Sequence, residues 1–249
     1  MNIAAELALE SLRSHYRAAG PYYRDALITA CRKAPPPFGT KKYEKIYRDV
    51  ARDPNWMVVS LLQNAQGEGE GSEHLWDLAA STPDPRVANQ VKAHAIDESR
   101  HSKAYLAMLG LTFPDVVDDK SRAQLAPLSP GYTQRSRFEP HAGSPYASAI
   151  TLDDLIQMNI AEIRTLVHHI IQRPVLLAYC APERRHRLAL LHDRLQVDEA
   201  RHIGYTATLI EEFAQRGKAD AVKRLMQERV SDFNAITNED LGRGAFEPL

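Results

Sequence analysis

Asp97-Glu98-Ser99-Arg100-His101 and Asp198-Glu199-Ala200-Arg201-His202 are two copies of one string, Asp-Glu-x-Arg-His, in a chain of 249 residues. In each copy the Glu and the His stand at i and i+3, which makes them neighbours on one face of a helix, able to point at the same ion. A lone glutamate precedes each copy: Glu68, with 28 residues between it and Asp97, and Glu162, with 35 residues between it and Asp198. One Glu from each of two helices and a Glu-x-x-His pair from each of two others form the donor set of a carboxylate-bridged two-metal site inside a helical bundle. The doubled string therefore predicts an all-α fold whose four core helices converge on two ions.

Periodicity supports that architecture. Apolar residues recur at helical spacing over about 54–80, 84–109, 151–173, 182–216 and 219–235. The first fifty residues read as two short helices, interrupted near Gly20-Pro21 and ended by the stiff run Pro35-Pro36-Pro37. Between the second and third core helices, residues 110–150 carry Pro, Gly and Ser without a sustained period. A structureless loop of that length is unusual in a compact domain, but a four-helix bundle with one long crossover requires such a connection. The expectation is a single domain over 1–249, with an N-terminal helical extension over 1–50 and a C-terminal helix at 219–235.

The inward stripes carry the chemistry. In the first core helix Leu61, Ala65, Glu68, Ser72, Leu75 and Ala79 step by four and three, and Glu68 is the one acid among them. Glu70, Glu73 and Asp77 fall in line with Gln63 and Gln66, a row expected to face solvent. Gly67, Gly69 and Gly71 flank Glu68, and each costs a helix about 1 kcal/mol relative to Ala. Space for a substrate or dioxygen, a local bulge, or a close helix crossing would each account for them. The second helix presents Val91, His94, Glu98, His101, Tyr105 and Met108. The third opens at Thr151 with Asp154 three residues on, a capping-box start, and presents Leu155, Met158, Glu162, Thr165 and His169. The fourth presents Leu188, His192, Leu195, Glu199, His202 and Thr206.

Glu68, Glu98, His101, Glu162, Glu199 and His202 are thus the expected ligands, a set of oxygen and imidazole donors suited to iron or manganese rather than to a thiolate zinc site. Asp97 and Asp198 are read as acceptors orienting the ligand imidazoles, with Arg100 and Arg201 pairing those aspartates; surface salt bridges are the plainer alternative. His94 and His192 are either extra ligands or polar-core histidines. Thr165 is either a pocket residue or a threonine bonded to its own backbone, and Tyr105 either a core aromatic or a redox tyrosine. Arg184, Arg185, His186 and Arg187 open the fourth helix and form either a docking patch for an acidic electron donor or a solvated face.

Composition narrows the partners. The net charge is −1 with a pI near 6.8, so no basic field draws in nucleic acid or an anionic membrane. Two distant cysteines, Cys31 and Cys180, make neither a disulfide framework nor a thiolate site, and a cytoplasmic setting is expected. The N-terminus mixes Glu6 and Glu10 with Leu7, Leu9 and Leu12, unlike a signal peptide, and no apolar run is long enough for a bilayer.

The two Glu…Asp-Glu-x-Arg-His units resemble the double motif of ferritin-like non-haem di-iron carboxylate oxygenases, among them the bacterial multicomponent monooxygenase hydroxylases. The likeness covers roughly residues 54–216 as architecture, and its specific part is the six ligand and four neighbouring positions. The chain is far shorter than those hydroxylase subunits and looks more like the compact single-domain members: tRNA-modifying hydroxylases, aldehyde-deformylating oxygenases and arylamine N-oxygenases. The resemblance implies two iron ions, with a manganese/iron pair admitted, that activate dioxygen for hydroxylation, N-oxygenation or oxidative cleavage of a small organic substrate. It also implies an external electron donor, a ferredoxin or a reductase, and admits a homodimer. Thr165 resembles in position the active-site threonine of the bacterial hydroxylases. The rival readings are a ferritin- or rubrerythrin-type ferroxidase and a compact tRNA-modifying hydroxylase.

Overall fold

A computed structural model of the chain describes residues 3–15, 19–116 and 118–242, so residues 1–2 and 16–18 of the predicted N-terminal extension, residue 117 of the crossover and residues 243–249 lie outside the description. The fold is all-α, with no strand among the described residues. Its helices are α1 (Ile3–His15), α2 (Pro21–Lys33), α3 (Lys41–Val50), α4 (Pro54–Ser81), α5 (Pro85–Thr112), α6 (Asp119–Leu125), α7 (Leu152–Tyr179), α8 (Arg185–Phe213) and α9 (Ala219–Gly242). None is long and apolar enough to cross a membrane among the described residues. The chain forms two compact units. One holds residues 1–53, 151–175 and 192–249; the other holds 54–150 and 176–191.

In the second of these units α4 and α5 form an antiparallel pair. Asp84 starts α5 by accepting from the backbone N–H groups of Arg86 and Val87, with Pro85 at the first helical position, where its missing N–H costs nothing. Ser72 of α4 donates to the carbonyl of Ala95 on α5 at 2.6 Å, fixing the register between them. The expected crossover is more ordered than its composition predicts. It contains α6, a 3₁₀ turn at Ala126–Leu128 and a segment bonded to α5 through serines: Ser129 Oγ donates to the Ser99 carbonyl at 2.6 Å, and Tyr132 N–H donates to Ser99 Oγ at 3.1 Å.

In the first unit α7 and α8 run antiparallel. The Thr151–Asp154 capping box forms as its spacing predicts, with Asp154 Oδ2 2.8 Å from Thr151 N and Thr151 Oγ1 3.2 Å from Asp154 N. Asn159 locks the pair, donating to Thr206 Oγ1 at 2.9 Å and to the Ile203 carbonyl at 3.2 Å while accepting from Tyr23 O–H of α2 at 2.8 Å. A carboxylate from α8 also caps α2: Glu211 accepts Tyr23 N–H at 2.8 Å, and Gly20 makes this approach feasible because a Cβ there would meet Glu211 Cδ at 2.2 Å. Opposite charge at a helix N-terminus is favourable. α9 closes the unit, with Asn234 donating to the Ala34 carbonyl at 2.9 Å and Arg229 to Asp153 at 2.8 Å.

Two elements depart from the sequence expectation. A third helix, α3, occupies the stretch after the polyproline run, started by Thr40, whose Oγ1 accepts Tyr43 N–H at 3.2 Å. α7 does not stop before Pro174 but continues to Tyr179. Its flanking residues Ile171 and Leu176 are buried, and packing on both sides outweighs the one backbone bond that proline removes.

Candidate metal centre

The doubled string builds the same local geometry twice. In α5 the Nδ1 of His101 lies 3.5 Å from Glu98 Oε1, and in α8 the Nδ1 of His202 lies 3.5 Å from Glu199 Oε2. Each pair is met by the lone glutamate of the antiparallel neighbour. Glu68 of α4, Glu98 and His101 each offer one ligand atom within 4.8 Å of the others. Glu162 of α7 brings Oε2 to 3.6 Å from His202 Nδ1. Glu98, His101, Glu199 and His202 are buried, Glu162 is 9% exposed and Glu68 is half-buried. A buried His/Glu cluster that could hold a metal ion is therefore present.

Charge in the α4–α5 triad is held by its own members. Burial alone would raise the Glu98 carboxyl, but the His101 imidazole and hydrogen-bonded contacts with Glu68, His101 and His94 hold it well below the usual carboxylate range. His94, one turn before Glu98 on α5, brings Nε2 to 3.1 Å from Glu98 Oε1, so it belongs to this triad's immediate surroundings. His192 stands elsewhere: it is fully buried on α8, with its ring perpendicular to that of His169 on α7 and 6.1 Å from it. Both its ring nitrogens lack a hydrogen-bond partner, and among the described residues it joins no carboxylate group suited to a metal.

The residues between the ligands form the expected pairs. Arg100 donates to Asp97, and Arg201 donates to Asp198 at 2.7 Å, each within its own helix. Asp97 is buried whereas Arg100 is 57% exposed on its side chain, so each arginine reaches from solvent toward an inward acid. Tyr105 is buried one turn beyond His101, and Thr165 is half-buried one turn beyond Glu162. In the basic run, Arg184 is half-buried and Arg185, His186 and Arg187 are exposed; Arg185 donates to the Cys180 carbonyl at 3.0 Å.

On α4 one open reading narrows and one expectation changes. Gly69 faces the backbone of the crossover: a Cβ there would lie 1.8 Å from the Leu128 carbonyl oxygen, so this glycine serves a close approach rather than an open space. Gly67 and Gly71 have nothing within 4 Å of a Cβ. Asp77, expected to face solvent, is only 2% exposed because the crossover covers it; it accepts both the backbone N–H and Nδ1 of His141 at 2.8 Å. Gln63, Gln66, Glu70 and Glu73 of the same row are exposed. Asn159, one turn before Glu162, and Ser72, one turn after Glu68, were not singled out by sequence, although a lone amide or hydroxyl on an apolar stripe is the signal that marks such ties between helices.

No known family, curated protein or solved structure matches the chain.

Proposed function

We propose that the two triads, Glu68–Glu98–His101 and Glu162–Glu199–His202, each hold a metal ion of the kind the ferritin-like di-iron proteins carry, and that the protein is a dioxygen-activating oxygenase acting on a small organic molecule. The observation that carries this reading is the repetition of one geometry, a histidine Nδ1 3.5 Å from the glutamate three residues earlier, on two helices that each pair with a helix supplying a further glutamate. Four carboxylates and two imidazoles fit iron or manganese by the chemistry of the donors. Neither cysteine lies within the triads, and both are buried as free thiols.

Iron or manganese ions held by these residues would supply redox equivalents for dioxygen. The chain's residues hold and shape those sites. Glu68 and Glu162 approach from the paired helices, while Ser72–Ala95 and Asn159–Thr206 hold each pair in register one turn from the ligands. Asp97 is paired with Arg100 and Asp198 with Arg201, each pair on the helix that carries a ligand histidine. In the proposed reading each aspartate would accept from a ligand imidazole and so set which of its nitrogens is left for the ion.

Elemental analysis of protein loaded with Fe(II) tests the centre. Two ions per chain are expected, with lower occupancy in Glu68→Ala, Glu162→Ala and His202→Ala; full occupancy in all three would reject the ligand assignment. Stopped-flow mixing of the diferrous protein with dioxygen separates oxygenase from ferroxidase. A single stoichiometric reaction supports the oxygenase. Repeated oxidation of added Fe(II), with mineral accumulating, replaces it with iron storage.

A further inference from the structure

The crossover carries an aromatic and acid–base chain and is tied to α4 and α5 at residues that neighbour two ligands of the triad. Two of its contacts fall next to ligands: the Leu128 carbonyl packs on Gly69, adjacent to Glu68, and Tyr132 N–H bonds Ser99 Oγ at 3.1 Å, adjacent to Glu98. The Tyr132 ring is stacked on buried Trp76 of α4, with centroids 4.2 Å apart and planes within 15°. Its hydroxyl lies 3.0 Å from His141 Nε2, and His141 Nδ1 lies 2.8 Å from Asp77 Oδ1.

The direction of every proton in this chain follows from Asp77. Its Oδ1 already accepts the His141 backbone N–H at 2.8 Å, so it acts as an acceptor, and the imidazole Nδ1 facing the same oxygen must carry the hydrogen. In the neutral ring Nε2 is then the bare nitrogen. Tyr132 therefore donates to His141, and the phenol has a base in hydrogen-bond contact. Burial, with the charges of Glu73 and Asp77, pushes the Tyr132 phenol up to about 12, so it stays protonated at neutral pH and can lose an electron cheaply only if the proton leaves with it. The Lys92 ammonium sits 5.5 Å from the Trp76 ring centroid and 4.4 Å from that of Phe138, and a neighbouring cation disfavours a second positive charge on the indole.

We propose that Tyr132 is a redox-active tyrosine, a proton-coupled electron relay between the exposed crossover and the metal centre proposed above, on which this inference rests. In the forward step Tyr132 gives one electron to a one-electron oxidant, the centre in its oxidised state, and its hydroxyl proton moves to His141 Nε2. The products are a neutral phenoxyl ring and an imidazolium facing Asp77. A one-electron donor at the surface returns the electron, and the proton returns from Nε2 to the phenoxyl oxygen. Half the His141 side chain is exposed, which puts the outer end of the relay within reach of such a donor.

The test uses metal-free full-length protein, so its outcome is independent of whether the triads bind iron. Flash-generated ruthenium(III) tris-bipyridine serves as oxidant, and the radical is read by electron paramagnetic resonance with transient absorption. Wild type should give a phenoxyl signal that Tyr132→Phe, which keeps the stacked ring, removes in large part. His141→Ala, at a half-exposed side chain, should form the radical about 10²-fold more slowly, the lower end of what a positioned proton acceptor contributes. A packing role alone would leave both readouts unchanged. Equal signal in Tyr132→Phe, or equal rate in His141→Ala, overturns the proposal.

Discussion

Replacing His192 by leucine should make the protein more resistant to acid without weakening it at neutral pH. The imidazole is fully buried and neither nitrogen has a hydrogen-bond partner. Burial, assisted by the charge of Arg173 and opposed by that of Asp193, lowers its pKa from the ordinary 6.5 to about 4. The unfolded chain takes up this proton near 6.5 and the folded chain refuses it until about 4. Folding stability from this group is therefore complete above pH 6.5 and lost as pH falls toward 4. At about 1.4 kcal/mol per pKa unit, the loss over that window is about 3 kcal/mol. At pH 7.5 the leucine removes two unsatisfied buried atoms, each costing about 1–3 kcal/mol, at comparable volume. Urea unfolding at pH 7.5, 6.5, 5.5 and 4.5 measures both effects. Equal or greater stability at pH 7.5 and a shallower acid slope are expected. His168, shifted to about 4 chiefly by burial, still titrates in the variant and preserves part of the slope. A variant weakened at pH 7.5 with an unchanged slope refutes the reasoning, because it would mean that His192 bonds a partner in the folded protein.

Gly69→Ala should lower the thermal midpoint, since its Cβ meets a backbone oxygen at 1.8 Å and overpacking of this kind costs about 1–3 kcal/mol. Gly67→Ala and Gly71→Ala, with nothing within 4 Å, should raise it through the better helix propensity of Ala, by up to about 1 kcal/mol each; the same sign at all three positions would contradict the placement of the crossover. Asn159→Ala deletes three buried hydrogen bonds and strands the Tyr23 hydroxyl, for an expected loss of about 3 kcal/mol in urea unfolding; a loss within error of zero would show that α2, α7 and α8 do not depend on this amide. Asp97→Ala and Asp198→Ala should fold normally and bind Fe(II) about 10- to 100-fold more weakly by titration, whereas wild-type affinity would reduce both aspartates to partners of their arginines.

What the sequence determined by itself is whatever a single helix decides. Glu98 with His101 and Glu199 with His202 had to become neighbours once their segments were helical, because i and i+3 share a face, and the two 3.5 Å separations lie within that reach. The Thr151–Asp154 box is likewise local, as is the pairing of each Arg with the Asp three residues before it. Only the tertiary structure decided the rest, because the deciding partner lies far along the chain. Asp77 has the spacing of a solvent-facing residue and becomes a buried acceptor only because His141, 64 positions later, folds over it. Gly69 is required by a carbonyl at Leu128, and Glu211 becomes the cap of a helix that begins 190 residues earlier. α7 passes through Pro174 because buried neighbours on both sides hold it. Local rules weigh a residue against its own turn; burial and long-range hydrogen bonds weigh it against the whole core, and where the two conflict the larger free energy of packing prevails.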